Sequence, residues 1–108
     1  MLDALLSVDF DGVEQLRDQA RLARVVALCD CGCPTVSLTA PDTAPSADLP
    51  NRLAPVWARV VTDGYKSTGE IVLLLKGGRL DSLEYVFYER VPRSWPPIDQ
   101  IRIVRPTT

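Results

Sequence analysis

The sequence predicts an α+β fold, with one N-terminal amphipathic helix packed on a mainly antiparallel sheet of about five to six strands. Three observations carry this expectation. Residues 12–22 place apolar side chains at helical spacing, the pattern changes to strand-length apolar runs from residue 24, and glycine-containing turns separate those runs. The chain has 108 residues, 46% of them hydrophobic and 24% charged, which suits one globular domain over residues 1–108. Folding a chain of this length buries roughly 65% of its unfolded surface, enough for a core without staples.

Residues 2–8 are short enough for either a helical turn or a strand. Asp11 followed by Glu14 has the spacing of a capping box and is expected to open a helix over residues 12–22. Val13, Leu16, Ala20 and Ala23 share one face of that helix, and Glu14, Gln15, Arg17, Asp18 and Arg21 share the other. Residues 25–29 read as a buried strand. Residues 35–39 alternate, with Val36 and Leu38 inward.

Residues 40–55 hold four prolines and no periodicity, and so predict a long loop that is mobile or functional. Strands are expected over 56–62, 70–76 and 80–89. Gly77-Gly78 makes the second connection a tight hairpin, and Ile71 to Leu75, apolar at every position, reads as a central strand covered on both faces. Ile98, Ile101 and Ile103 predict a last strand. A helix of about eleven residues cannot cover both faces of such a sheet. The 40–55 loop, the Trp95 segment or a second protein must cover the rest.

Cys29-Asp30-Cys31-Gly32-Cys33 is the one uncommon feature. In a flat strand, alternate residues lie about 6.6 Å apart, farther than the ~3.8 Å between sulfurs on a tetrahedral zinc. If Asp30, Cys31 and Gly32 form a three-residue hairpin loop with Gly32 left-handed, Cys29 and Cys33 close the loop and Cys31 hangs over them. Three readings stay open. The cysteines are small reduced residues fitting a turn, or ligands for a metal such as zinc, or a pair cycling through a disulfide. The chain has no histidine and no fourth cysteine, so a metal would need Asp30, water or a second subunit as its remaining ligand. That gap favours the first reading.

Catalysis finds little support. Without histidine there is no Ser-His-Asp or Cys-His arrangement, and no phosphate-binding glycine motif is present. Glu84 and Glu89 fall on opposite faces of their strand, so they do not form a carboxylate pair. The expectation is a protein that is not an enzyme. Eight acids lie in residues 1–50 against Arg17, Arg21 and Arg24, although the whole chain carries only −2. An acidic half of this kind disfavours nucleic acid as a partner and suits a basic protein. No stretch reaches the ~20 apolar residues that span a membrane, and the first residues lack the basic start of a signal peptide, so a cytoplasmic protein is expected. Trp57, Tyr88 and Trp95 are candidate interface anchors, since Trp and Tyr are enriched at such surfaces.

Cys29-Asp30-Cys31-Gly32-Cys33-Pro34-Thr35, followed by Gly78-Arg79-Leu80, Leu83-Glu84-Tyr85-Val86 and Trp95-Pro96-Pro97, resembles small uncharacterised proteins of actinobacteria. The resemblance implies a bacterial, cytoplasmic origin and no known activity. The expected function is therefore a small non-catalytic interaction module. It would bind a protein partner or a second copy, in the manner of an immunity-type protein neutralising a basic target. The alternative is a metal-binding or redox-responsive protein built on Cys29, Cys31 and Cys33.

Overall fold

In the computed structural model, which describes residues 1–105, two helices precede six strands. They are α1 (Leu2–Leu5), α2 (Val13–Leu22), β1 (Arg24–Leu28), β2 (Val36–Thr39), β3 (Leu53–Thr62), β4 (Lys66–Lys76), β5 (Arg79–Phe87) and β6 (Ile101–Val104), the last entered through a 3-10 turn at Ile98–Gln100. The six strands form one sheet in the order β1-β2-β5-β4-β3-β6, with every pair antiparallel. The fold is thus mixed α and β with a six-stranded antiparallel sheet, and it has two helices where one was expected. Among the described residues, no helix is long and apolar enough to cross a membrane.

Helix α2 starts differently from the capping-box expectation. Gly12, at φ +93°, is the N-cap, no side chain caps the helix, and Glu14 instead pairs with Arg17. Only a residue without a Cβ takes that backbone angle cheaply. Ala47 and Leu49 also pack against Gly12. The buried face of α2 is Val13, Leu16 and Gln19, and it joins Leu5 and Leu6 over Val56, Ala58 and Val60 of β3, Ile71, Leu73 and Leu75 of β4, and Leu80 and Leu83 of β5. The register puts these strand residues on one sheet face.

Gln19 has no exposed surface and all its polar atoms are used. Its Nε2 donates to the carbonyls of Pro45 (2.8 Å) and Gly78 (3.1 Å), and its Oε1 accepts the N–H of Leu80 at 2.8 Å. One side chain thereby joins α2, the long loop and the β4–β5 hairpin. Arg79 holds the same loop from below. Its guanidinium donates to the carbonyls of Ala44 (2.9 Å) and Pro41 (2.7 Å) and to the Ser46 hydroxyl at 3.1 Å. Residues 40–52 have no strand or helix, yet Ala44 and Ala47 are buried.

Two expectations are corrected by the covering layer. The loop packs on the helix side, and Trp95 stacks on Tyr85 (centroids 6.0 Å apart, planes within 8°) on that side too. Nothing among the described residues covers the opposite face, where Leu53, Trp57, Val72, Leu74, Glu84 and Val86 lie. Ile71 to Leu75 is central but covered on one face only. The first strand is not buried either. Every residue of β1 is exposed, because α2 packs chiefly against β5 and β1 lies two strands beyond β5, at the sheet's end. Val36 and Leu38 do pack against the core, as their alternation implied.

The tight hairpin after β4 is present, with Gly77 at φ +59° and Gly78 at φ +75°. The two glycines are not equivalent. A Cβ on Gly78 would fall 1.9 Å from the Ala47 carbonyl oxygen, whereas one on Gly77 would meet no heavy atom within 4 Å. Gly77→Ala should therefore cost only about 1 kcal/mol for its backbone angle, and Gly78→Ala about 3 kcal/mol or more because the loop must also move. Gln19→Leu, which removes the partner of the Pro45 carbonyl and of the Leu80 N–H while the Gly78 carbonyl keeps the Ala47 N–H, should cost roughly 2–4 kcal/mol. Denaturant midpoints of the three variants check this ranking.

Candidate metal centre

The three cysteines occupy the turn between β1 and β2. The turn is two residues longer than a three-residue loop, since the Cys29 N–H donates to the Thr35 carbonyl (3.2 Å) and not to Cys33. Inside this, the Gly32 N–H donates back to the Cys29 carbonyl at 3.3 Å, and Gly32 takes the expected left-handed angle at φ +87°. That inner turn folds the chain over itself and swings Cys31 back toward Cys29.

All three sulfurs consequently lie within 4.8 Å of one another. The closest pair is Cys29 and Cys31, with Sγ atoms 2.8 Å apart, and the Cys33 N–H donates to the Cys31 Sγ at 3.4 Å. The expectation that Cys29 and Cys33 would be the closing pair is corrected. The turn is wider, and Cys31 is the neighbour of both. Burial is graded across the group, from Cys33, 8% exposed, through half-buried Cys29 to exposed Cys31.

The surroundings act on the thiols in opposite directions. Burial pushes the Cys33 thiol up, but Cys31, Thr35 and Cys29 all favour its thiolate, and together they bring its pKa down to about 7. Thr35 contributes through both its hydroxyl and its backbone. That hydroxyl is held in place from the other side, because its Oγ1 accepts the N–H of Tyr85 at 2.9 Å and leaves its own proton free to face Cys33. Cys31 has the reverse setting. Hydrogen bonding to Cys29 and then to Cys33 favours its protonated form, and its pKa is pushed up to about 11.

Beyond Cys31 the turn faces an open cleft of about 540 Å³ lined by Cys31, Gly32, Val91 and Arg93. The segment carrying Val91 and Arg93 leads into Trp95, which is fixed against Tyr85. Tyr85 therefore anchors both walls, the cysteine turn through Thr35 and the cleft segment through Trp95. Among the described residues, Arg93 is the one charged residue in this lining. It lies sixty residues from the cysteines along the chain, so no local pattern could have revealed it.

The other candidates fall on two faces of the sheet. Trp57 lies on the uncovered face with the Arg59 guanidinium 5.8 Å from its ring centroid, and Tyr88 is 53% exposed. Trp95 is on the helix side. Trp57 and Tyr88 share the uncovered face, Tyr88 beside Glu70 and Arg59, and Trp95 stands apart from them. The acidic half is also less available than its composition implies, since Asp9 and Glu14 pair with Arg17, and Asp18 pairs with Arg21. No family model matches the chain, and no curated protein or solved structure matches it either.

In the metal-free protein, thiolate ultraviolet absorbance should rise in separate steps, the first with an apparent pKa of about 7 and the last at about 11. Cys33→Ser should remove the first step. Thr35→Val, which keeps the shape and loses the hydroxyl, should move that step to higher pH.

Proposed function

We propose that this chain is a metal-binding module whose site is the thiolate triad of Cys29, Cys31 and Cys33. The observation that carries the reading is the convergence of three sulfurs within 4.8 Å on a short turn. A disulfide needs two sulfurs, and a structural role needs none to face each other. Only chelation uses all three. Tetrahedral zinc sites place sulfurs about 3.8 Å apart around Zn–S bonds of ~2.3 Å, so Cys29 and Cys31 need to part by about 1 Å. Cys31 is exposed and can make that movement by rotating its side chain.

The donor set indicates the class of metal. Three thiolates without imidazole select soft cations such as Zn(II) or Cu(I) over hard ones such as Mg(II) or Ca(II). Ligation requires the thiolate form, and Cys33, with a pKa of about 7, offers it near neutral pH before any metal arrives. The chain Tyr85 N–H to Thr35 hydroxyl to Cys33 has the form of an outer-shell relay that orients a ligand and sets its basicity.

A second reading, a non-catalytic module binding a protein partner or a second copy, is favoured by the uncovered sheet face bearing Trp57. Arg59, Glu70, Glu84 and Arg102 on that face balance in charge, so it does not select a basic partner. Sedimentation as a strict monomer at all concentrations would remove the homodimer version.

Titration of the reduced protein with Co(II), a spectroscopic stand-in for zinc, should produce thiolate-to-metal charge-transfer bands at one equivalent. Each single Cys→Ser change should weaken binding at least roughly tenfold, and Thr35→Val by roughly ten- to a hundredfold. Three thiols that remain freely titratable in excess Co(II), Zn(II) and Cu(I) would overturn the reading.

A further inference from the structure

The thiolate triad, taken as a metal site, leaves one coordination position unfilled by this chain. Among the described residues, no carboxylate joins the three sulfurs within ligand distance, and Asp30, the nearest acid in sequence, is not part of the group. Zinc with three protein ligands keeps a fourth position for water or another molecule. The gradient of burial shows where that position opens. Cys33 is shut against the protein and Cys31 is exposed, so the free side of the triad is the side of Cys31.

That side carries the cleft. Gly32 forms part of its wall, and a Cβ built there would meet no heavy atom within 4 Å, so the approach over the turn is unobstructed. Val91 offers an apolar surface. Arg93 is the single charged residue in the lining, and none of the ion pairs among the described residues involves it. A divalent cation with three thiolates carries a net charge of −1 and would repel a second anion. A guanidinium beside the open position offsets this and presents a planar fork that matches a carboxylate.

We propose that the cleft beside Cys31 admits an anionic low-molecular-weight thiol as the fourth ligand of the bound metal, with Arg93 holding the thiol's carboxylate. This rests on the metal-binding reading above. The step is ligand exchange without oxidation. The incoming thiol loses its proton to solvent, its sulfur bonds the metal, and the water at that position leaves.

The test uses the full chain loaded with Co(II) and three small thiols of different charge, namely mercaptoacetate (anionic), 2-mercaptoethanol (neutral) and cysteamine (cationic). The charge-transfer bands report the added sulfur. Mercaptoacetate should bind roughly tenfold more tightly relative to 2-mercaptoethanol in the wild type than in Arg93→Ala, the scale of one charge-assisted contact. Arg93→Glu should shift the preference toward cysteamine. Arg93 is exposed, so both variants are expected to fold, and unchanged Co(II) affinity in the absence of thiol confirms that the triad is intact.

Three results overturn the inference while the metal reading stands. They are an intact Co(II) band that no thiol alters, the same preference among thiols in wild type and Arg93→Ala, and loss of cobalt from the protein to the free thiol. If Co(II) gives no thiolate band with the wild-type protein, the metal reading itself fails and the inference falls with it.

Discussion

Gln19 sits at the point where the helix, the long loop and the β4–β5 hairpin meet, and its three hydrogen bonds are made without access to water. A buried amide is costly unless every polar atom has a partner, so these segments are constrained to one arrangement. Gly78 enforces the same constraint sterically, because its backbone lies against the Ala47 carbonyl where a Cβ has no space. Together they hold α2, the long loop and the β4–β5 hairpin on one face of the sheet. The uncovered face and the exposed β1 follow from that one-sided layering.

The cysteine turn benefits from this arrangement although it stands outside the core. Strand β2 is paired with β5, and Tyr85 of β5 donates its N–H to the Thr35 hydroxyl beneath Cys33. The same tyrosine ring supports Trp95 and through it the segment bearing Arg93. An ordered core strand thus positions both the deepest thiol and the single cation at the cleft. In the proposed metal site, Cys33 would provide a ready thiolate on the protein side, and the exposed Cys31, whose protonated form is favoured in the free protein, would move to close the site.

Much of this was legible in the residues. The strand-forming runs, the Gly77-Gly78 hairpin, the inward Val36 and Leu38 and the left-handed Gly32 follow from local backbone chemistry, which a short window of sequence contains. Features that depend on distant partners were not legible. Gln19 lies at helical spacing from Leu16 and Ala23 and so falls on the apolar stripe, but its buried role needs the carbonyls of Pro45 and Gly78. The ordering of residues 40–52 depends on Arg79, and the acidity of Cys33 on Thr35 and Tyr85. Residues 25–29 looked buried because apolar runs usually are. Their exposure reflects where the helix stops and cannot be read from the strand itself.

The proposed metal site requires that three sulfurs of one turn bind one cation. X-ray absorption on the zinc-loaded protein measures this directly, since it counts the sulfur scatterers around the metal. Three sulfurs at about 2.3 Å, together with one further ligand, are expected. A zinc shell with only oxygen or nitrogen scatterers would contradict that site, as would cysteines that mass spectrometry finds joined in a disulfide in the purified metal-loaded protein.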